Sequence, residues 1–341
     1  MKLDTAPRYN FGDVLIRPTR SKVNSRADVD LTRSFAFPNG QHWKGFPLIA
    51  ANMDSTGTLA MARALLDEGA LVSLHKFYEA SQLIEFFSGP SSTNSFYTMG
   101  IGREDVSKFH KVLESTKLPM ISVDVANGYI DKFVEVVREL RSICSDAILM
   151  AGTVATAEMT QELVGLGVDI VRVGIGSGSA CITRKVAGVG VPQLSAVAEC
   201  ADAAHKLGGF VCSDGGCKSS GDIAKALGAG ADFVMLGGIF AGHDECEGEW
   251  IYEDQGSSQR RKALKFHGMS SEAAMIKHYG GVAPHRAPEG IEVEVAYKGP
   301  VSVTVKNIKA GVSSAMTYVG AKTLAELPEL TTFVLNSHAA G

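Results

Sequence analysis

Nowhere in the 341 residues do apolar side chains run unbroken for the ~18 positions a membrane-spanning helix needs. The opening stretch MKLDTAPRYNFGDVLIRP scatters its charges and has no apolar core, so no secretory leader is expected and the compartment is expected to be the cytoplasm. Long basic runs are missing and the formal net charge is −4, which argues against nucleic acid as a partner. Only six cysteines occur, spread along the chain without a CxxC pair, so neither a disulfide framework nor a zinc site is indicated. No GxGxxG follows an apolar run, which removes support for a Rossmann-type dinucleotide site. No low-complexity linker divides the chain, so residues 1–341 read as a single domain.

What is present is alternation. Short apolar runs recur at 47–51 (PLIAA), 70–75 (ALVSLH), 96–101 (FYTMGI), 120–126 (MISVDVA), 147–152 (AILMAG), 169–174 (DIVRVG), 210–216 (FVCSDGG) and 232–238 (DFVMLGG). Amphipathic helical patterns separate them, among them 130–143, 156–167 and 191–208. Near-continuous apolar strands between such helices imply parallel strands buried on both faces. Eight of them match a closed (β/α)8 TIM barrel with an N-terminal extension and a C-terminal appendage, the alternative being a doubly wound open sheet.

In a barrel, chemistry gathers where the strands end. Those ends carry Asn52-Met53-Asp54, His75-Lys76, Asp124, the loop Gly174 to Arg184, Asp214-Gly215-Gly216 and Gly237-Gly238. The glycine pairs after the seventh and eighth runs suit a phosphate held by backbone N–H groups, with Ser179 and Met269-Ser270-Ser271 as further donors. Tight turns alone would explain either pair. Asp214, an acceptor when ionised, suits sugar hydroxyls.

The stretch GIGSGSACITR (174–184) ends a loop of little side-chain bulk in a lone thiol, Cys181, with Arg184 close behind. Cationic or N–H-rich surroundings favour the thiolate. On these grounds alone Cys181 is open between nucleophile and small structural residue, whereas Cys200 and Cys212 read as structural. Thr183 and Glu289 have the chemistry of a proton relay. Nothing in their spacing brings them together. The segment HYGGVAPHRAPEG (278–290) reads as an irregular loop able to cover a site.

Long stretches, GIGSGSACITRKVAGVGVPQLSAV, SDGGCKSSGDIAKALGAGADFVMLGG and AANMDSTGT, resemble the IMP dehydrogenase/GMP reductase family from about residue 10 to 335. The short connection between the second and third runs, the absence of an Arg-Tyr pair in 268–290, and the motifs NMDSTGT, HKFY and DVANGY resemble its GMP reductase branch. The alternatives are an IMP dehydrogenase lacking its regulatory module and a catalytically silent nucleotide-binding barrel.

The resemblance implies NADPH-dependent conversion of GMP to IMP and ammonia, in purine salvage, by a homotetramer. It implies that Cys181 attacks the purine and that Thr183 and Glu289 pass the proton the leaving amine needs. It puts the nucleotide on Ser179, Asp214, Gly215, Gly216, Gly237, Gly238 and 269–271, with Arg286 and Gly290 closing over the base. It puts the cofactor on Asp124, Val125, Ala126, Ile175, Gly176, His285, Arg286 and Ser314, Ala315, Met316, Thr317. Ser25, Arg26 and Lys76 would reach a neighbouring subunit's cofactor. A potassium ion is implied at Gly176, Gly178, Cys181 and Arg184. Ser177 and Ile182 depart from the usual proline and threonine of the loop, and losing a proline's fixed φ loosens it.

Overall fold

The computed structural model describes residues 1, 3–255, 258–284 and 286–336. Its centre is a closed barrel of eight parallel strands: β1 (Leu48–Ala50), β2 (Leu71–Ser73), β3 (Ser95–Met99), β4 (Met120–Asp124), β5 (Ile148–Val154), β6 (Ile170–Val173), β7 (Phe210–Asp214) and β8 (Phe233–Leu236). Closure is made by β8 on β1, where Val234 pairs with Leu48 and Leu236 with Ala50. The open-sheet alternative is thereby excluded.

Successive side chains on a strand point to opposite faces. The apolar residues accordingly separate into two layers. Ile49, Leu71, Phe96, Met120, Ile148, Met150, Ile170, Cys212 and Met235 fill the barrel interior. Leu48, Val72, Tyr97, Ile121, Leu149, Val171 and Val234 face outward into the core beneath the helices. This double burial is why the strands read as unbroken apolar runs.

One end of the barrel is plugged. The hairpin Arg33–Ala36/His42–Gly45 lays Phe35 against Phe233 with ring centroids 4.4 Å apart and edge-on to Phe210 at 5.3 Å. Arg33 fixes it by donating to the buried Asp232 at 2.7 Å. The C-terminal ends of the strands open onto a cavity.

Beyond β8 the appendage is a three-stranded antiparallel sheet, Trp250–Gln255, Ser258–His267 and Glu292–Ala296, followed by the long helix Val301–Val319. Between its second and third strands runs the segment 268–291, whose described residues fold over the mouth of the barrel and include the helix Glu272–Tyr279. Val14–Ile16, near one end of the chain, pairs antiparallel with Phe333–Leu335, near the other.

Candidate active site

The cavity at the open end has a volume of about 1070 Å³ and its wall includes Cys181, Asp214, Gly215, Gly238, Asp124 and Lys76. Ligand pockets commonly run from roughly 300 to 1000 Å³, so this cavity lies at the large end of that range. Polar groups converge on it from several strand ends.

The thiol comes from the loop after β6. Cys181 is half-buried, and its Sγ lies 3.2 Å from Thr183 Oγ1. That hydroxyl donates to Glu289 Oε2 at 2.6 Å, across 106 residues of sequence. Backbone contacts hold the pair in register: Ile182 N–H donates to Glu289 O at 2.8 Å, and Ile291 N–H to Ala180 O at 3.0 Å. Gly290 bridges Cys181 on one side and Ser271 on the other. A Cβ on Gly290 would stand 2.9 Å from Ser271 N and 3.1 Å from Gly268 Cα, so only glycine lets these chains approach. A carboxylate, a hydroxyl and a thiol in line can move a proton to or from whatever the sulfur attacks.

Arg184 does not stand over the thiol as a free cation. Its guanidinium donates to Ile175 O at 3.3 Å, Asn10 Oδ1 at 3.1 Å and Val191 O at 2.6 Å, and so braces the loop. Gly178 O already accepts from Cys181 N–H at 3.1 Å. Gly176, Gly178 and Cys181 lie in this one turn, and backbone carbonyls are oxygen donors of the kind hard cations take.

The nucleotide-site candidates gather around the thiol. Gly215, Gly216, Gly237, Gly238, Met269, Ser270 and Arg286 line the cavity with Ser179, and a Cβ on Gly238 would come 2.7 Å from Ser179 Oγ. Ser271 is buried, and its hydroxyl caps the helix Glu272–Tyr279 by accepting from Ala274 N–H at 3.2 Å.

Of the cofactor candidates, Asp124, Val125, Ala126 and Lys76 share this wall. Burial works against the charge of Lys76, but Asp105, 3.0 Å away, and Tyr279 outweigh it and raise its pKa. Ile175 and Gly176 sit behind the wall with Arg184. Ser25 caps and Arg26 begins a short helical turn, Arg26–Asp28, that packs on the helix Val301–Val319, which carries Ser314, Ala315, Met316 and Thr317. That patch is separate from the cavity of its own chain. His285 lies outside the described residues.

Sequence reasoning passed over Arg172. Its Nη1 donates to Asp124 Oδ1 at 2.8 Å and its Nη2 to Asp214 Oδ2 at 2.7 Å, joining the two halves of the cavity. Burial opposes this charge, yet the two carboxylates prevail and hold the pKa above its ordinary value. Asn52 Nδ2 supports Asp124 from the far side at 2.8 Å. An arginine inside the apolar run DIVRVG was the available signal.

The match to the family model described as "IMP dehydrogenase / GMP reductase domain" spans residues 8–341. The chain is 50% identical over 339 residues to a GMP reductase of Edwardsiella ictaluri, covering 98% of this chain and 96% of that one. It is likewise 50% identical to a GMP reductase of Buchnera aphidicola, with 98% and 95% covered. Among solved structures, a cysteine-to-alanine variant of the GMP reductase of Trypanosoma brucei, in complex with guanosine 5'-monophosphate, superposes with a TM-score of 0.86 at 24% identity, covering 98% and 97% of the two chains. This last likeness concerns the fold.

Proposed function

Since the chain belongs to the IMP dehydrogenase/GMP reductase family, we propose that its cavity carries out GMP + NADPH + H⁺ → IMP + NH₃ + NADP⁺. The observation that carries this reading is the line Cys181–Thr183–Glu289, in which each polar atom touches the next. The name and near-complete overlap of the relatives at about half identity support the same reaction.

Cys181 sulfur bonds to C2 of the purine while the C2–N bond breaks. The departing nitrogen leaves as ammonia only if protonated, and Thr183 stands where it can deliver a proton drawn from Glu289. A covalent adduct on sulfur divides one difficult substitution into two easier ones. NADPH, when bound, supplies hydride to the same carbon. The carbon–sulfur bond then breaks and returns its electron pair to Cys181. Asp214, held by Arg172, orients the sugar, and the N–H groups of the paired glycines receive the phosphate.

Asp124 would hold the cofactor beside the base; Lys76, assigned by the resemblance to a neighbouring subunit's cofactor, lines the same wall of its own chain, which favours a role here. Ser25, Arg26 and 314–317 would meet a cofactor only from another copy of the chain, in keeping with a homotetramer. Gly176, Gly178 and Cys181 carbonyls would take potassium and stiffen the loop. The setting is purine salvage in the cytoplasm. No helix among the described residues is long and apolar enough to cross a membrane.

The test pairs loss of NADPH absorbance with ammonia release. One-to-one stoichiometry with GMP, abolished in Cys181→Ala, is the expected result. XMP formation from IMP and NAD⁺, without GMP turnover, would overturn the reading.

A further inference from the structure

Asp54 and His75 lie in the loops after β1 and β2, yet the proposed chemistry uses neither. Asp54 is buried, and its Oδ2 accepts three donors: Lys277 Nζ at 2.6 Å, His278 Nε2 at 2.8 Å and His267 Nε2 at 3.3 Å. Asp54 lies in the loop after β1, and its donors come from the end of the strand Ser258–His267 and the last turn of the helix Glu272–Tyr279. Phe77 stacks on His278 with ring centroids 3.5 Å apart and 11° between planes, so the loop after β2 grips the same turn. His75 in turn stacks on Tyr78 at 3.9 Å, and Tyr78 donates to Glu247 at 2.5 Å.

Two histidines and a carboxylate are also zinc ligands by type. Here the Lys277 ammonium stands on the shared oxygen, so the cluster already contains its cation. Its evident work is mechanical. The helix Glu272–Tyr279 is held at its start by the Ser271–Gly290 bridge and at its end by Asp54. Glu289 hangs from that start, its N–H donating to Ser270 O at 2.9 Å.

We propose that Asp54 is a positioning residue that fixes the helix Glu272–Tyr279 across the barrel mouth and thereby holds Glu289 against Thr183. The proposal rests on the reaction given above. Asp54 touches no reacting atom and acts through a carboxylate that does.

The test is a double-mutant cycle between Asp54→Asn and Glu289→Gln, read as kcat with GMP and NADPH. A residue acting through Glu289 loses its effect once that carboxylate is gone, whereas one that merely supports the fold does not. Asp54→Asn is expected to lower kcat about tenfold or more in the parent and less than about threefold in the Glu289→Gln background. A smaller loss in the parent, or a loss of about threefold or more in both backgrounds, overturns the proposal. If Asp54→Asn fails to fold, Lys277→Met takes its place, and Lys277→Arg must restore kcat. The rate at which iodoacetamide alkylates Cys181 gives a readout that needs no turnover. It should rise about fivefold or more in Asp54→Asn as the segment loosens over the thiol, and an unchanged rate counts against the proposal even if the parent proves inactive on GMP.

Discussion

Replacing Arg172 by methionine offers the sharpest check on the electrostatics of the cavity. The guanidinium is buried between Asp124 and Asp214, whose side chains are 31% and 21% exposed. Removing one partner of a buried ion pair costs about 3–5 kcal/mol, because the charge left behind loses its compensation. Two carboxylates are stranded here, but both reach water, which places the loss near the lower end, about 3 kcal/mol. For a chain of this size that corresponds to a fall in melting temperature of roughly 4 °C, measured by calorimetry at neutral pH. The penalty belongs to uncompensated negative charge, so adding Asp124→Asn and Asp214→Asn to Arg172→Met should return at least about half of it. GMP affinity should fall in the single variant, since Asp214 loses its support. A drop below about 2 °C, or a triple variant no more stable than Arg172→Met, would refute the reasoning.

Further expectations can be checked with simple assays. Thr183→Val keeps the shape but breaks the link between Cys181 and Glu289; kcat should fall about 10²- to 10⁴-fold with GMP binding retained, by steady-state kinetics and calorimetric titration. Gly215 has φ +81°, and a Cβ there would stand 2.6 Å from Ser177 Oγ and 2.8 Å from Gly178 N; Gly215→Ala should destabilise the protein by at least about 1 kcal/mol in denaturant titration and weaken GMP binding. Burial pushes the Cys200 and Cys246 thiols up to about 11, and raises Cys144, Cys212 and Cys217 as well, so peptide mapping after brief iodoacetamide treatment should find Cys181 modified first. A hydrogen bond from His205 to Asp232 raises the histidine's pKa, opposed by burial. A raised folded-state pKa stabilises below the unfolded value near 6.5 and is lost as pH climbs through the folded value. His205→Gln should therefore narrow the gap in melting temperature between pH 6 and pH 8.5. The effect stays below about 1 kcal/mol because the ring is 42% exposed.

The barrel was legible because double burial keeps its strands rich in apolar residues on both faces. The runs at 120–126, 169–174 and 232–238 contain Met120–Asp124, Ile170–Val173 and Phe233–Leu236. The gathering of polar residues at one end followed from the same pattern. The Thr183–Glu289 contact was not legible, since it depends on how the segment after His267 returns over the mouth. Arg172 was hidden for a related reason: its two partners come from strands 48 and 42 residues away. The hairpin plug escaped notice because Phe35, Phe37 and Trp43 carry no periodic signature that separates a lid from a strand of the barrel. The turn Arg26–Asp28 packs on the helix Val301–Val319 nearly 300 residues later, a juxtaposition no local pattern encodes.

The pairing of Val14–Ile16 with Phe333–Leu335 has a consequence for how the molecule is made. Synthesis proceeds from one end at roughly 5–20 residues per second, so the first of these strands must wait on the order of 15–60 s for its mate. Throughout that interval the backbone groups of Leu15 and its neighbours bond to water in place of their strand partner. The barrel itself can close sooner, once β8 has emerged to meet β1. Assembly is thus staged by the order of translation, with the cavity roofed before the chain's two ends are tied together.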